Sequence, residues 1–365
     1  CQNCHQFHVT GSLRQLAEQA KLALEDIDPH RPAIDSLLLA CPDCGQPMQH
    51  LPEVLEPWFE RAVLALSQAG TLAAAPEGGA PPLDLVCAVA DPPSDWLAAL
   101  HMLSGLLSDQ PATRQIAWLP AVSPSAEPSA HPASSAGVEA LTPLRLLREQ
   151  GADALRWAVY QQPVGSPLPL TPELINQAGG SFLRGVLELG ELLNSRVDLH
   201  QFRQAPAETE TMPYSQAVRL DDWLRSRLHC LVRDVTTALE AGELCQAAQA
   251  LQQFVLADLR GWYVPQRLTL RGDETFPAES YRPLFEVLAV LSRLMAPLTP
   301  FLAEHLYQGL LRGLSDLSPD ESESVHLTEW PTFDPLCIQP DLEADMAVIR
   351  RLGELGEWAL LVVVV

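Results

Sequence analysis

The sequence predicts a mainly α protein with an α/β part, and three observations lead to that prediction. Apolar residues recur at intervals of three and four through the second half of the chain, as they do on the buried face of a helix. Residues 83–119 read as an apolar strand, an amphipathic helix and a second apolar strand. Two Cys-x-x-Cys pairs precede both regions. The predicted order is therefore a small cysteine module, an α/β unit and a helical bundle.

The cysteine module is predicted over residues 1–50, with one helix from Leu13 to Leu24. Each two-residue spacer lets both sulfurs of a pair face one ion, so four thiolates can complete a tetrahedral zinc site. Ordinary buried cysteines, or disulfides in a secreted protein, are the alternatives. The four candidate zinc ligands are Cys1, Cys4, Cys41 and Cys44.

The α/β unit is predicted over residues 51–119. Residues from Leu83 to Ala90 are mostly apolar and alternate in character as in a buried strand, and Trp96 to Leu107 carries leucines at helical spacing. Ile116 to Leu119 is a second short apolar stretch. Together these segments form a strand, helix, strand unit.

A linker and a connector follow the α/β unit. Residues 120–139 are rich in Pro, Ser and Ala and are predicted to be a disordered linker. Residues 140–170 form the connector to the helical part. Thr171 followed by Pro172 is an N-cap and first-turn pair, which predicts that a helix starts there.

Residues 171–365 are predicted to form an antiparallel helical bundle. Three apolar stripes step by three and four residues, and Gly242, Gly272 and the Pro297/Pro300 pair separate the helices. These stripes are expected to be core. Their members are Leu224, Leu228, Leu231, Val235 and Leu239; Leu284, Leu288, Leu291 and Met295; and Leu302, Leu306, Leu310 and Leu314.

Several segments resemble one enzyme family in collinear order. They are Cys41-Pro-Asp-Cys-Gly-Gln-Pro-Met with Trp58-Phe59 after it, Gly151-Ala-Asp-Ala-Leu-Arg-Trp, Asp258 to Val264, Ala296 to Glu304, and Glu323 to Leu327. The family is the isoleucyl-tRNA synthetases, class I enzymes that join isoleucine to its tRNA. The last three segments are similar to its anticodon-binding helices.

This resemblance implies a fold and a function. It implies that residues 51–119 are a partial Rossmann-type nucleotide-binding half and that 171–365 are an anticodon-binding bundle. The implied activity is ATP-dependent attachment of isoleucine, with isoleucine tRNA as partner. The chain would then correspond to the back half of such an enzyme.

The same resemblance proposes site residues. Trp58 and Trp96 stand where the family places the walls of its isoleucine pocket, and Asp91 is retained from the polar motif beside the second wall. Simple core packing is the alternative for both tryptophans. The candidates for tRNA contact are Arg225, Arg260, Trp262 and Tyr263, with core packing as the alternative for the two aromatics.

The arginines of one predicted helix have a competing interpretation. Asp221, Asp222 and Asp234 are interleaved with them, which favours pairing between residues four apart over a free tRNA-binding stripe. The arginines concerned are Arg219, Arg225, Arg227 and Arg233.

Both class I signatures are missing from the sequence. No His-x-Gly-His occurs, and Lys21 is the single lysine, so a Lys-Met-Ser-Lys-Ser loop cannot exist in any register. Cationic side chains of these motifs stabilise the ATP phosphates, so we expect the chain alone to be inactive and its ATP binding to be doubtful. One hypothesis is a split or fragmentary ligase whose N-terminal half acts in trans. The other is a non-catalytic paralogue that binds tRNA or a protein.

Charge and composition restrict the partners. The chain has 23 Lys and Arg against 46 Asp and Glu, a net charge of −23. Nucleic-acid affinity rests largely on neutralisation of phosphates, so weak tRNA binding is expected. No apolar run reaches the roughly 20 residues that span a bilayer, and metal-type cysteine pairs favour a reducing, cytoplasmic location.

Overall fold

The computed structural model divides the chain into two compact units. The first comprises Cys1–Pro81 and Asp95–Ala112, and the second comprises Pro82–Ser94 and Thr113–Val365. Within them the structure describes residues 1–53, 56–68, 82–89, 95–123, 143–165, 168–169, 171–197, 216–269, 278–311 and 323–364.

The predicted helix of the cysteine module is present but shorter. Helix α1 (Leu13–Ala20) starts after Ser12, whose side chain accepts a hydrogen bond from the backbone of Gln15. It stops because Lys21 takes the left-handed conformation, with φ of 56°. Leu24–Asp26, which the sequence placed at or beyond the helix end, form a 3-10 turn.

A small hairpin carries the second cysteine pair. Strands β1 (Leu39–Ala40) and β2 (Pro47–Met48) pair antiparallel. Between them the backbone N–H of Cys41 donates to the carbonyl of Gln46 at 2.8 Å.

Two helices complete the first unit. Helix α2 (Pro57–Gln68) packs against α3 (Asp95–Ser108), which confirms the predicted helix from Trp96 to Leu107 with one more residue at each end. Their buried apolar side chains are Ala62, Leu66, Leu97, Ala99 and Leu100.

The second unit contains the predicted strands. Strands β3 (Leu83–Val89) and β4 (Thr113–Leu119) pair in parallel, with the first residue of each opposite the other. The prediction that β3 is buried was wrong, since Leu85 is 46% and Val89 48% exposed. The described part of this sheet has only two strands, so alternate side chains of β3 meet solvent.

The first residues of the predicted linker include a short strand. Strand β5 (Val122–Ser123) pairs in parallel with β6 (Leu168–Pro169), so the first residues of 120–139 are ordered. The rest of that segment lies outside the described residues.

The remainder of the second unit is helical, which confirms the mainly α prediction. Its elements are α4 (Pro143–Gln150), α5 (Ala152–Tyr160), α6 (Pro172–Arg196), α7 (Gln216–Glu240), α8 (Leu244–Gln253), a π-helical segment (Phe254–Tyr263), α9 (Val264–Thr269), α10 (Arg282–Met295), α11 (Pro300–Leu311) and α12 (Pro340–Val364).

Side-chain caps fix where two of these helices begin. The Thr171 hydroxyl accepts from the backbone N–H of Leu174 at 3.2 Å, with Pro172 in the first turn, so the predicted start of α6 is confirmed. At α11, the Asp153 carboxylate accepts from the N–H of Leu302 at 2.7 Å. Each cap satisfies a backbone donor that the helix itself leaves unpaired.

The predicted apolar stripes form the core of the bundle. Every described member of the stripes is buried except Leu239, which is half-buried. One stripe member, Leu314, and the predicted helix separator Gly272 lie outside the described residues. Trp157, from the predicted connector, belongs to the same core and stacks on Phe182 with ring centroids 3.8 Å apart. Gly242 ends the turn after α7 with φ of 75°, a conformation that favours glycine.

Residues 328–339, here called the strap, run along α7. They are tied to that helix at three points that share one of its faces, because the acceptors are separated by seven and three residues. The strap bonds are Trp330 Nε1 to Thr236 Oγ1 at 2.9 Å, Asp334 N to His229 Nδ1 at 2.9 Å and Gln339 N to Ser226 Oγ at 2.8 Å.

Among the described helices, none combines the length and the apolar composition that crossing a bilayer requires.

Candidate functional site

The two Cys-x-x-Cys pairs adopt the same local turn. The residue that follows each pair, His5 or Gly45, has a positive φ, of 57° and 72° respectively. Each also donates its backbone N–H to the carbonyl of the first cysteine, at 3.0 Å for Cys1 and 2.8 Å for Cys41. The turns bring both sulfurs of each pair to one side.

The four sulfur atoms converge on a single point. Cys1 Sγ lies 3.5 Å from Cys44 Sγ, Cys4 Sγ lies 3.6 Å from Cys41 Sγ, and all four are within 4.8 Å of one another. A disulfide would bring two sulfurs to about 2.05 Å, and all four cysteines are free. Four thiolates at about 2.3 Å from a zinc ion would be roughly 3.8 Å apart. The donor set and its spacing therefore fit tetrahedral zinc.

Polar contacts support this cluster from outside. His8 Nε2 lies 3.0 Å from an Asp43 carboxylate oxygen, which ties the loop after the first pair to the turn of the second. The backbone N–H of Gln46 lowers the pKa of the Cys44 thiol. At Cys4 the backbone N–H of Gln6 acts in the same direction, but burial and hydrogen bonds with Cys44 and Cys41 outweigh it and raise the pKa. The support for a metal site is therefore the geometry of the four sulfurs.

The two candidate pocket tryptophans lie on the α2 and α3 pair. Trp58, in the first turn of α2, is 40% exposed and meets Phe59 edge to face with centroids 6.0 Å apart. Trp96, in the first turn of α3, is half-buried. Asp91 lies outside the described residues.

A cavity of 290 Å³ lies where β4, the end of α5 and the start of α8 meet. Trp118, Tyr160 and Cys245 are among its walls. The described residues that line it include no Arg, Lys or His, so their side chains offer no cation to a triphosphate.

The four arginines of α7 are paired with acids, as the sequence favoured. The spacing differs from the predicted one, because partners lie three residues back, one residue on, or on other helices. The pairs are Arg219 with Asp345 at 3.7 Å, Arg225 with Asp222 at 3.5 Å, Arg227 with Asp258 at 3.1 Å and Arg233 with Asp234 at 2.9 Å.

Two of the tRNA-contact candidates are accessible at the surface. The side chain of Arg225 is 52% exposed, and that of Arg260 is 45% exposed. Arg260 is held by Glu188 at 2.6 Å, so each of these guanidinium groups already has one acidic neighbour.

Tyr263 lies in the core of the bundle, the alternative that the sequence favoured for it. It is 2% exposed, and its hydroxyl donates to Asp221 at 2.7 Å. Burial raises the pKa of Tyr263 and also that of Asp221, although Arg267 lies 3.2 Å from the same carboxylate. The ring offers no free face for a nucleobase in this arrangement.

Trp262 is half-buried beneath α12. Its indole N–H donates to the sulfur of Met346 at 3.4 Å, and the guanidinium of Arg350 lies over its ring, 5.8 Å from the centroid. No sequence pattern pointed to Arg350, because it lies 92 residues along the chain from Asp258, which it contacts.

A buried carboxylate beside Trp262 is the centre of a cluster of four charged residues. The side chain of Asp258 is 4% exposed and accepts from both Arg227 and Arg350. Arg227 also reaches Glu343 at 3.0 Å. We call these four residues the Asp258 cluster; the sequence showed Asp258 only as part of a family-like segment.

The backbone that carries Asp258 is π-helical. The N–H of Val264 donates to the carbonyl of Leu259, five residues back. Gly261 is required here, since a Cβ on it would lie 2.7 Å from the carbonyl oxygen of Leu256. Such wide turns are rare and often occur at functional positions.

Comparison with known proteins shows that this chain is similar to tRNA ligases. Residues 221–356 match the family described as the anticodon-binding domain of tRNA ligase. An isoleucine-tRNA ligase of Deinococcus radiodurans is 33% identical over 96% of this chain and 32% of its own length. Those of Streptomyces avermitilis and Thermus thermophilus are 32% and 29% identical over 97% and 98% of the chain. The chain spans about a third of each of these relatives.

A solved structure shows a similar fold. The LeuRS in a ternary complex with tRNA and LeuAMS, from Agrobacterium radiobacter, superposes with a TM-score of 0.57 at 17% identity. The match covers 83% of this chain and 36% of that one. The resemblance to isoleucyl-tRNA synthetases that the sequence predicted is confirmed by the relatives of the preceding paragraph.

Proposed function

We propose that this chain, whose residues 221–356 match the anticodon-binding domain of tRNA ligases, is the zinc-bearing and tRNA-binding part of an isoleucine-tRNA ligase. The observation that carries the proposal is collinear similarity to such ligases along 96% of the chain. In this proposal residues 51–119 are the remnant of the Rossmann-type half, with Trp58, Trp96 and Asp91 left from the isoleucine pocket. The protein would act in the cytoplasm.

The candidate tRNA contacts of the helical bundle are already paired with acids. Arg225 and Arg260 are its exposed candidates, and each would have to exchange an acidic neighbour for a phosphate. With a net charge of −23, we expect affinity in the roughly 10⁻⁴ to 10⁻⁶ M range of non-specific binding at physiological salt.

Titration of labelled isoleucine tRNA at two salt concentrations tests this part of the proposal. Arg225→Ala and Arg260→Ala should each weaken binding and reduce the slope of log K against log salt by about 1. Arg148→Ala, an exposed arginine outside residues 221–356, is the matched control and should change neither. Unchanged binding in both bundle variants would contradict the assignment of these residues.

The four cysteines are proposed to hold a structural zinc ion. Four thiolates fill a tetrahedral shell and leave no position for water or substrate, so the ion would stabilise the fold and would not act as a Lewis acid. Metal analysis of the purified chain should find about one zinc per chain, and Cys41→Ser should lose it. A metal-free wild-type chain would overturn this assignment.

A non-catalytic role is the second candidate function, and the single lysine favours it. Without the lysine loop the pyrophosphate of ATP has no cationic clamp, so the chain alone should not catalyse isoleucine-dependent exchange between ATP and pyrophosphate. Exchange should be measured with and without the N-terminal two thirds of an isoleucine-tRNA ligase. Exchange that appears only when the N-terminal part is added would support a split ligase. Absence of exchange both with and without that part would support the non-catalytic module. Exchange by the chain alone would contradict the expected loss.

A further inference from the structure

The guanidinium of Arg350 lies in a pocket formed by the bundle. The rings of Trp223 and Trp262 each lie 5.8 Å from its central carbon. One nitrogen donates to Asp258 Oδ1 at 2.5 Å, and the other donates to the carbonyl of Ala257 at 3.0 Å. Two aromatic rings and two oxygen acceptors thus surround one planar cation.

This set of partners suits a guanidinium better than an ammonium ion. A guanidinium is planar and weakly hydrated, so it can lie against aromatic rings while its edge donates to two acceptors at once. An ammonium is a compact and strongly hydrated charge that lacks this fork. The acceptors here are a carboxylate and a neighbouring backbone carbonyl, which match two nitrogens of one fork.

Three of the four pocket residues, Trp223, Asp258 and Ala257, are held by elements other than α12. Trp223 is 2% exposed and belongs to the bundle core. The second oxygen of Asp258 is held by Arg227 Nε at 3.1 Å, and the π-helical segment sets the position of Ala257. The rest of the bundle therefore forms these three walls, while α12 contributes the cation and also Met346, which accepts from the indole of Trp262.

We propose that Trp223, Trp262, Asp258 and Ala257 form an arginine-binding pocket, which Arg350 occupies in cis and through which α12 is docked on the bundle. A free alkylguanidinium can take the place of the Arg350 side chain in this pocket. The proposal does not depend on tRNA binding or on the ligase assignment.

Chemical rescue tests the proposal on the full chain. Arg350→Ala should lower the Tm of the bundle by roughly 3–12 °C, because it leaves Asp258 with one partner and removes the group between the two rings. Ethylguanidinium, the part of the side chain that this variant lacks, should at millimolar concentration recover part of that loss. It should also shift tryptophan fluorescence toward that of the wild type.

Three comparisons make the rescue specific. Ethylammonium should not rescue, and ethylguanidinium should not stabilise the wild type or Arg351→Ala, whose altered residue is an exposed neighbour on α12. Equal rescue by ethylammonium, or no rescue, would overturn the pocket assignment. So would a Tm of Arg350→Ala equal to that of the wild type.

A conservative variant covers the case in which Arg350→Ala does not fold. Arg350→Lys keeps the charge and the apolar stem but loses the planar fork, so its Tm should still fall below that of the wild type. A wild-type Tm for Arg350→Lys would show that any cation serves and would overturn the proposal.

Discussion

The cysteine module and the helical bundle differ in how much apolar surface each of them buries. Within residues 1–53 only Ala17 and Cys41 are buried, and the ordered turns surround four sulfur atoms. The bundle instead buries one continuous apolar cluster drawn from α5 to α12. A segment of that size with so little buried apolar surface needs another source of stability, and a metal is the usual one. The two parts should therefore respond to different perturbations.

Removal of the proposed zinc ion should produce the largest effect and confine it to the module. Structural zinc contributes an apparent binding free energy of about 10–16 kcal/mol in small metal-dependent domains, so a chelator or Cys41→Ser should unfold residues 1–53. Hydrogen exchange followed by mass spectrometry should show fast exchange there and unchanged protection in α7 and α10. Cys87→Ser, at an exposed cysteine of β3, should leave both regions as they are. Loss of protection in the bundle as well would show that the module and the bundle do not unfold independently.

A core truncation should have the opposite distribution and a smaller size. Phe182→Ala removes a buried ring that stacks on Trp157 with the planes 2° apart, and such truncations cost about 3–5 kcal/mol. The Tm of the bundle should fall while the metal content stays constant. Phe301→Ala is the control, since that ring is 66% exposed and should cost far less. A drop in bound metal in Phe182→Ala would mean that the regions are not independent.

Acid should lower the stability of the bundle through Glu343, and this should be the smallest of the three effects. Burial raises the pKa of this carboxyl, but hydrogen bonds from Ser226 and Arg227 outweigh it and leave the pKa below its usual 4.5. Because the folded pKa is the lower one, Glu343 stabilises the fold above about pH 4.5 and loses that contribution as the pH falls.

Urea unfolding at several pH values measures this contribution. The wild type should be more stable than Glu343→Gln at pH 7, and the difference should shrink as the pH is lowered below 4.5. Glu286→Gln, on the exposed side of α10, should show no such pH dependence. A difference that stays constant across pH would assign the effect to packing and not to ionisation.

The sequence predicted what depends on local periodicity and short motifs. The leucine stripes marked the buried faces, Thr171 and Pro172 marked the start of α6, and the spacing of the cysteine pairs marked a metal-like cluster. These features follow from neighbours within a few residues in the chain. For that reason the bundle and the cysteine turns were predictable.

Features that depend on distant residues were not predictable in this way. The partners of Arg227 come from the π-helical segment and from α12, so no spacing rule within α7 could name them. Arg350 reaches Asp258 across 92 residues of sequence. The exposure of Leu85 likewise depends on how many strands flank β3, which an alternating pattern does not report.

The strap is synthesised well after α7, the helix that it contacts. Its three bonds to α7 join residues 94, 105 and 113 positions apart, so the acceptors on α7 leave the ribosome long before their donors. At about 5–20 residues per second that interval lasts roughly 5–20 s. Nascent α7 must spend this time without the segment that will cover one of its faces. The strap can therefore dock only well after α7 has been synthesised, and contacts of such long range also slow refolding of the chain.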